Sequence, residues 1–155
     1  SEVTWVAYLS TATRWLPGGL KMPEHIYSKQ QPDLLLLSIN RFEDINSDRT
    51  DLCPSEQYLQ ISTKKIPAKK TFSPHRHNEL VRTTDITQEA WIILKGRIKA
   101  TFWDIDDTII EETELTAGDC AVVYYAGHGF EVIEDDTILY EVRVGLIMEW
   151  KKTKQ

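Results

Sequence analysis

Four side chains in the middle of the chain have the types and the spacing of a metal site. His75 and His77 lie two residues apart, Glu89 lies in the next apolar segment, and His128 stands between two glycines. Residues two apart on a β-strand point to the same side, so the two imidazoles can reach one ion. Three imidazoles and a carboxylate suit an ion of intermediate softness, such as iron(II), manganese(II), nickel(II), zinc(II) or copper(II). We therefore expect a divalent transition metal, provided that the strands carrying these residues belong to one barrel.

Each of these residues also has an ordinary structural interpretation. A histidine pair arises by chance in short polar stretches, and a glutamate on a strand is usually a surface charge. His128 can equally be a packed core group that is hydrogen-bonded to the backbone, since its flanking glycines permit close approach. Only the combination of the four residues favours a metal site.

The elements that must position these residues are short strands separated by turn signals. The patterns predict strands or short extended segments at 34–39, 58–62, 72–77, 89–94, 98–103, 108–115, 120–125, 130–133 and 138–144. Loops are expected at 21–32 and 40–54, and Lys95-Gly96 predicts a tight turn that makes a hairpin of its two flanking strands. With no long helical pattern between them, these segments predict an all-β fold, an antiparallel barrel or sandwich.

Size, charge and cysteine content narrow the class of protein. A length of 155 residues fits one domain, and a formal net charge of -6 disfavours nucleic-acid binding. No apolar run approaches the roughly 20 residues of a membrane helix, so no membrane span is expected. Cys53 and Cys120 are expected to be reduced thiols, and no secretory leader is recognisable, so we expect a cytoplasmic protein.

The segment 59–145 resembles a cupin, a double-stranded β-helix or jelly-roll barrel. The motifs that carry this resemblance are His75-Arg76-His77, the run from Glu89 to Gly96, Gly118-Asp119, and Gly127-His128-Gly129-Phe130. Thr87-Gln88-Glu89 together with Gly127 to Val132 is similar to a subgroup of short bacterial-type cupins. In cupins the matching positions are metal ligands, which implies that His75, His77, Glu89 and His128 hold the ion. The spacing from His77 to Glu89 is longer than in most cupins, so Gln88 and Glu79 remain alternative donors.

Strand alternation also suggests which residues line the pocket. Trp91 lies on the same strand face as Glu89, and Phe130 lies on the same face as His128. Aromatic residues at such positions usually belong to the core, but a barrel mouth lined by them is also typical of small-molecule sites. We expect Trp91, Tyr124 and Phe130 to contact the substrate.

Together these observations predict a metal-binding cupin barrel at 55–145, preceded by an N-terminal arm and loop at 1–54 and followed by a tail at 146–155. The expected function is that of a metal-dependent enzyme, of oxygenase, isomerase or lyase type, acting on a small polar metabolite. Two alternatives remain open: a non-catalytic barrel that binds or senses a small molecule, and a metal-free barrel of the sugar-nucleotide epimerase type. A homodimer is expected, because cupins commonly pair through edge strands.

Overall fold

The protein is described by a computed structural model that covers residues 22–144. Within this range it contains ten strands and a 3-10 helix over Phe42–Asp44. The strands are β1 (Glu24–Tyr27), β2 (Leu35–Asn40), β3 (Thr50–Asp51), β4 (Ser62–Thr63), β5 (Glu89–Lys95), β6 (Arg97–Trp103), β7 (Ile109–Thr116), β8 (Cys120–Val123), β9 (Gly127–Val132) and β10 (Ile138–Arg143). The all-β prediction is confirmed. The predictions for the arm before residue 22 and for the tail at 146–155 lie outside the described residues.

Two antiparallel sheets make up most of the fold. The larger has five strands in the order β1-β2-β8-β5-β10, and the smaller has three in the order β7-β6-β9. Among residues 22–144, strands β3 and β4 pair only with each other. The arrangement is compatible with a jelly roll, although hydrogen-bonded pairing does not pass from one main sheet to the other within the described residues.

The main core lies between the two sheets. Trp91 and Ile93 of β5 share one buried cluster with Ile98 and Phe102 of β6 and with Leu37 of β2. Because alternate residues of a strand face opposite sides, the outer face of the larger sheet needs its own cover. There Leu52, Cys53 and Leu59 form a second buried cluster with Leu35, Ala90, Cys120, Val122 and Tyr124. Both faces of β2 are therefore covered, which explains why the run predicted at 34–39 is apolar almost throughout.

The prediction that β5 and β6 form a hairpin is wrong. The tight turn exists, with Gly96 at φ +81°, but β5 pairs with β8 and β10, whereas β6 pairs with β7 and β9. The chain thus passes from one sheet to the other at this turn. Burial of Trp91 and Ile93 against Ile98 and Phe102 across the core replaces pairing between the two strands.

Four other segments differ from the predictions. The loop predicted at 21–32 contains β1, and the loop predicted at 40–54 contains β3 and the 3-10 helix. Of the strand predicted at 58–62, only Ser62 lies in a strand, β4. Leu59 packs in the second buried cluster and belongs to no sheet. The extended segment predicted at 72–77 belongs to no sheet and lies within an exposed stretch at 64–85. No helix of the described residues is long and apolar enough to cross a bilayer.

Candidate functional site

Glu89 of the larger sheet and His128 of the smaller sheet contact each other. Glu89 begins β5 of the larger sheet, and His128 lies in β9 of the smaller one. The His128 Nε2 atom is 3.6 Å from Glu89 Oε1, and the two side chains are 30% and 12% exposed. The pair is therefore partly shielded from water and yet reachable by a small molecule.

The orientation of the His128 ring is fixed by the backbone. Its Nδ1 atom lies 3.0 Å from the Ala126 carbonyl oxygen, which can only accept, so Nδ1 carries a hydrogen. This leaves Nε2 directed at Glu89. Burial lowers the pKa of His128, but the Glu89 carboxylate and the Ala126 carbonyl raise it by more, so the net shift of the pKa is upward.

Glu89 is held as a carboxylate by three neighbours. The Trp91 indole Nε1 donates a hydrogen bond of 2.7 Å to Glu89 Oε1, and Arg143 Nε lies 3.7 Å from Oε2. Burial raises the pKa of Glu89, but His128, Trp91 and Arg143 together lower it below its usual value. Arg143 is positioned by the register of β10 against β5, which places it opposite Glu89.

Two of the three predicted substrate-contacting aromatic residues flank this pair. The Trp91 ring lies 5.5 Å from the His128 ring and 4.9 Å from the Phe130 ring, measured between centroids. Trp91 is 2% exposed and belongs to the core, whereas Phe130 is 40% exposed. Tyr124 is not part of this group, because it packs in the second buried cluster, where its hydroxyl lies 3.1 Å from Ser38 Oγ. Burial raises the pKa of Tyr124.

His75 and His77 are adjacent to each other but lie in the exposed stretch at 64–85. Their ring centroids are 5.2 Å apart, and His75 Nδ1 is 3.0 Å from the Ser73 carbonyl oxygen. In residues 22–144, no three or more histidine, cysteine, aspartate or glutamate side chains gather in a way that could hold an ion. The structure thus brings Glu89 to His128 and His75 to His77, but it does not join the two pairs.

The two alternative donors take different positions. Gln88 is buried, its Oε1 accepts from Leu59 N at 2.8 Å, and its Nε2 donates to Gln57 Oε1 at 3.0 Å. Both ends of this side chain therefore secure the segment that carries Leu59. Glu79 is exposed, on the same stretch as His75 and His77.

No protein-family model, curated protein or solved structure matches this chain. Its function must therefore be argued from the site itself.

One buried polar network was not expected from the sequence. His25, within the loop predicted at 21–32, lies in β1 with its Nδ1 2.7 Å from Ser38 Oγ, which in turn contacts Tyr124. Burial lowers the pKa of His25, although Glu56 opposes this shift. The available signal was Ser38, a hydroxyl in an otherwise apolar run, because a buried hydroxyl needs a partner.

Proposed function

We propose that this chain is a cupin-type metal-binding protein whose ion lies between Glu89 and His128. Glu89 and His128 supply two ligands, and His75 and His77 complete the set. One observation carries the proposal: the distance of 3.6 Å between His128 Nε2 and Glu89 Oε1. Two donors that each bond an ion at about 2.1 Å with tetrahedral angles lie roughly 3.4 Å apart.

The backbone contact of His128 supports the same proposal. A metal-binding histidine usually donates its second ring nitrogen to a carbonyl or a carboxylate, which fixes the ring and its tautomer. His128 does this through Nδ1 and Ala126. Its Nε2 is then the nitrogen available to an ion.

The second pair of ligands must come from the exposed stretch. The chain between His77 and Glu89 can span about 40 Å when it is extended, so its length permits His75 and His77 to approach Glu89. Ordering this stretch costs conformational entropy, which ion binding has to offset. The donor set suits iron(II), manganese(II), nickel(II), zinc(II) or copper(II).

The activity that fits this site is that of a metal-dependent enzyme of oxygenase, isomerase or lyase type. A bound ion of this kind supplies Lewis-acid or oxygen-binding chemistry. The exposed face of Phe130 offers an apolar contact, and Arg143 places a cation beside Glu89. These features suit a small polar metabolite with an anionic group.

Titration with cobalt(II) tests the proposal, because its visible absorption reports the ligands directly. We expect the protein to bind one equivalent, and we expect His128→Asn and His75→Asn each to weaken binding by at least about tenfold. His25→Asn is the matched control, since His25 belongs to the Ser38 network and should leave binding unchanged. Absence of cobalt binding in the unaltered protein, or equal binding in all three variants, would refute the proposal.

A second candidate function uses the same pair without an ion. No third donor lies beside Glu89 and His128 in the described residues, and a histidine with a carboxylate is a common unit for proton transfer. A metal-free barrel, of the epimerase type, would use His128 as the acid or base. Epimerase activity that survives exhaustive removal of metal ions by a chelator, and that is lost in His128→Asn, would favour this candidate.

A further inference from the structure

The outer face of the three-stranded sheet carries a cleft, on the opposite side of β9 from the His128 side chain. Strand alternation directs Ile98 and Phe102 to the core, and therefore directs Thr101 and Trp103 of β6 to the outside. The cleft has a volume of about 350 Å³. It is lined by Lys99, Thr101, Trp103, Glu112, Gly129, Phe130 and Glu131.

Trp103 forms the floor of this cleft. In the sheet register Trp103 lies opposite Gly127, and Gly129 lies opposite Thr101. A Cβ atom at Gly129 would lie 3.7 Å and 3.8 Å from Cζ3 and Cη2 of Trp103, so the six-membered ring rests on the backbone of β9. Because the two glycines have no side chains, the indole can lie on the strand, where it remains half-buried.

The polar groups around the indole are mostly acceptors. Glu112 Oε1 forms an ion pair with Lys99 Nζ at 3.3 Å and accepts a hydrogen bond of 3.3 Å from the Thr101 hydroxyl. The Glu112 side chain is still 45% exposed. Glu131 also lines the cleft and has no hydrogen bond or ion pair with another described residue. Free carboxylate oxygens therefore border an aromatic surface that is held on rigid strands.

We propose that this cleft binds the pyranose ring of a neutral saccharide, stacked on Trp103. The flat C–H face of a pyranose packs on an indole, and its hydroxyl groups donate to carboxylates such as Glu112 and Glu131. The volume fits a small ligand of about one or two sugar rings. The cleft is lined by two carboxylates and one ammonium group, so its charge is net negative and disfavours a phosphorylated ligand. A quaternary ammonium is also disfavoured, since such cations are recognised by cages of several aromatic rings. Two aromatic residues line the cleft, Trp103 and Phe130, but the Phe130 ring packs against Trp91 on the other face of the sheet.

Amide NMR titrations with methyl β-glucopyranoside, methyl α-mannopyranoside and N-acetylglucosamine test this proposal. We expect at least one of them to shift the Trp103 indole N–H and the amides of Thr101, Gly129 and Glu131, with a dissociation constant of about 1 to 10 mM. Trp103→Ala should weaken binding about tenfold, since stacking supplies most of the contact. Glu112→Gln should weaken it about threefold while it keeps the shape of the cleft.

Tyr27→Ala is the matched control, because Tyr27 is an exposed aromatic residue on a strand of the other sheet. This variant should bind like the unaltered protein. If Trp103→Ala does not fold, as judged by circular dichroism, the Glu112→Gln result decides. The proposal is overturned if no saccharide shifts these resonances, if choline shifts them and the saccharides do not, or if the variants bind undiminished. Metal content does not enter this test, so its outcome is independent of the proposed function.

Discussion

Asp104 shows how one buried residue joins the two sheets. Its carboxylate accepts hydrogen bonds from Ser28 Oγ at 2.5 Å, Lys29 N at 2.7 Å and Ile105 N at 2.7 Å. Ser28 and Lys29 follow β1 of the larger sheet, whereas Asp104 and Ile105 follow β6 of the smaller one. Burial raises the pKa of Asp104, but these donors lower it by more, and the net shift of the pKa is downward.

The direction of this shift predicts a pH-dependent effect of Asp104→Asn. A carboxyl whose pKa is lower in the folded state contributes stability above its unfolded value of about 3.9, and this contribution is lost as the pH falls through the folded pKa. We expect Asp104→Asn to lower the free energy of unfolding at pH 7 by about 1.5 to 3 kcal/mol. Urea denaturation should show this difference shrinking below about pH 4. A difference that stays constant from pH 7 to pH 3 would contradict the assignment.

The turn between β7 and β8 requires glycine at position 118. Gly118 has φ +89°, and a Cβ atom there would collide with the Phe42 ring. Asp119 completes the turn, because its carboxylate accepts from Phe42 N at 2.9 Å and from Thr116 N at 2.9 Å. The Gly118-Asp119 pair that marks a turn in the sequence thus also positions the 3-10 helix.

We expect Gly118→Ala to lower the free energy of unfolding by about 1 to 3 kcal/mol, because the residue would be strained and Phe42 displaced. Gly129→Ala is the matched control. Its φ is not positive, and its added Cβ would make an ordinary contact with Trp103. Equal losses of stability in the two variants, measured by urea denaturation, would argue against this account of the turn.

The exposed stretch at 64–85 is the element on which the metal proposal depends. All its side chains are exposed, and it carries the tryptic sites Lys64, Lys65, Lys69, Lys70, Arg76 and Arg82. We expect trypsin to cleave here first and saturating nickel(II) to slow this cleavage, because an ion shared with Glu89 and His128 orders the stretch. The His75→Ala, His77→Ala double variant should be cleaved at the same rate with and without nickel. Protection of that variant by nickel would contradict the proposed ligand set.

The sequence predicted the strands better than it predicted their partners. The apolar run at 89–94 and the alternation at 98–103 predict β5 and β6 to within one residue at each end, because these patterns are local. The two strands were nevertheless assigned to one hairpin, since a tight turn at Gly96 looks the same whether or not its strands pair. Core packing decides that question, and it involves residues such as Leu37 that are distant in the sequence.

The candidate site, like the fold, could be predicted from the sequence only in part. Glu89 and His128 were expected to meet, and they do, because each lies on a strand whose side-chain direction follows from alternation. His75 and His77 lie in a stretch without such a pattern, so their convergence with Glu89 stays a prediction. Tyr124 packs in the second buried cluster and not beside Trp91. The sequence does not indicate this, because no local pattern shows that Leu52, Cys53 and Leu59 cover the outer face of the larger sheet.

At the scale of the whole molecule we expect a homodimer formed through β10. Within the part of the chain that the structure describes, this strand is an edge of the larger sheet, and the side chains on its outer face, Ile138, Tyr140 and Val142, are 51%, 64% and 38% exposed. An antiparallel strand can pair with its own copy about a twofold axis, which would cover this apolar face. Light scattering should give twice the 17.9 kDa chain mass. Tyr140→Glu should shift the protein to monomer, whereas a monomer in the unaltered protein at micromolar concentration would contradict the expectation.

Elemental analysis of the protein as purified tests the metal proposal most directly. We predict close to one transition-metal ion per chain, lost in the His75→Ala, His128→Ala double variant while circular dichroism shows that its fold is kept. A folded protein that holds no ion from metal-replete medium would contradict the proposal. Retention of the ion by the double variant would contradict it equally.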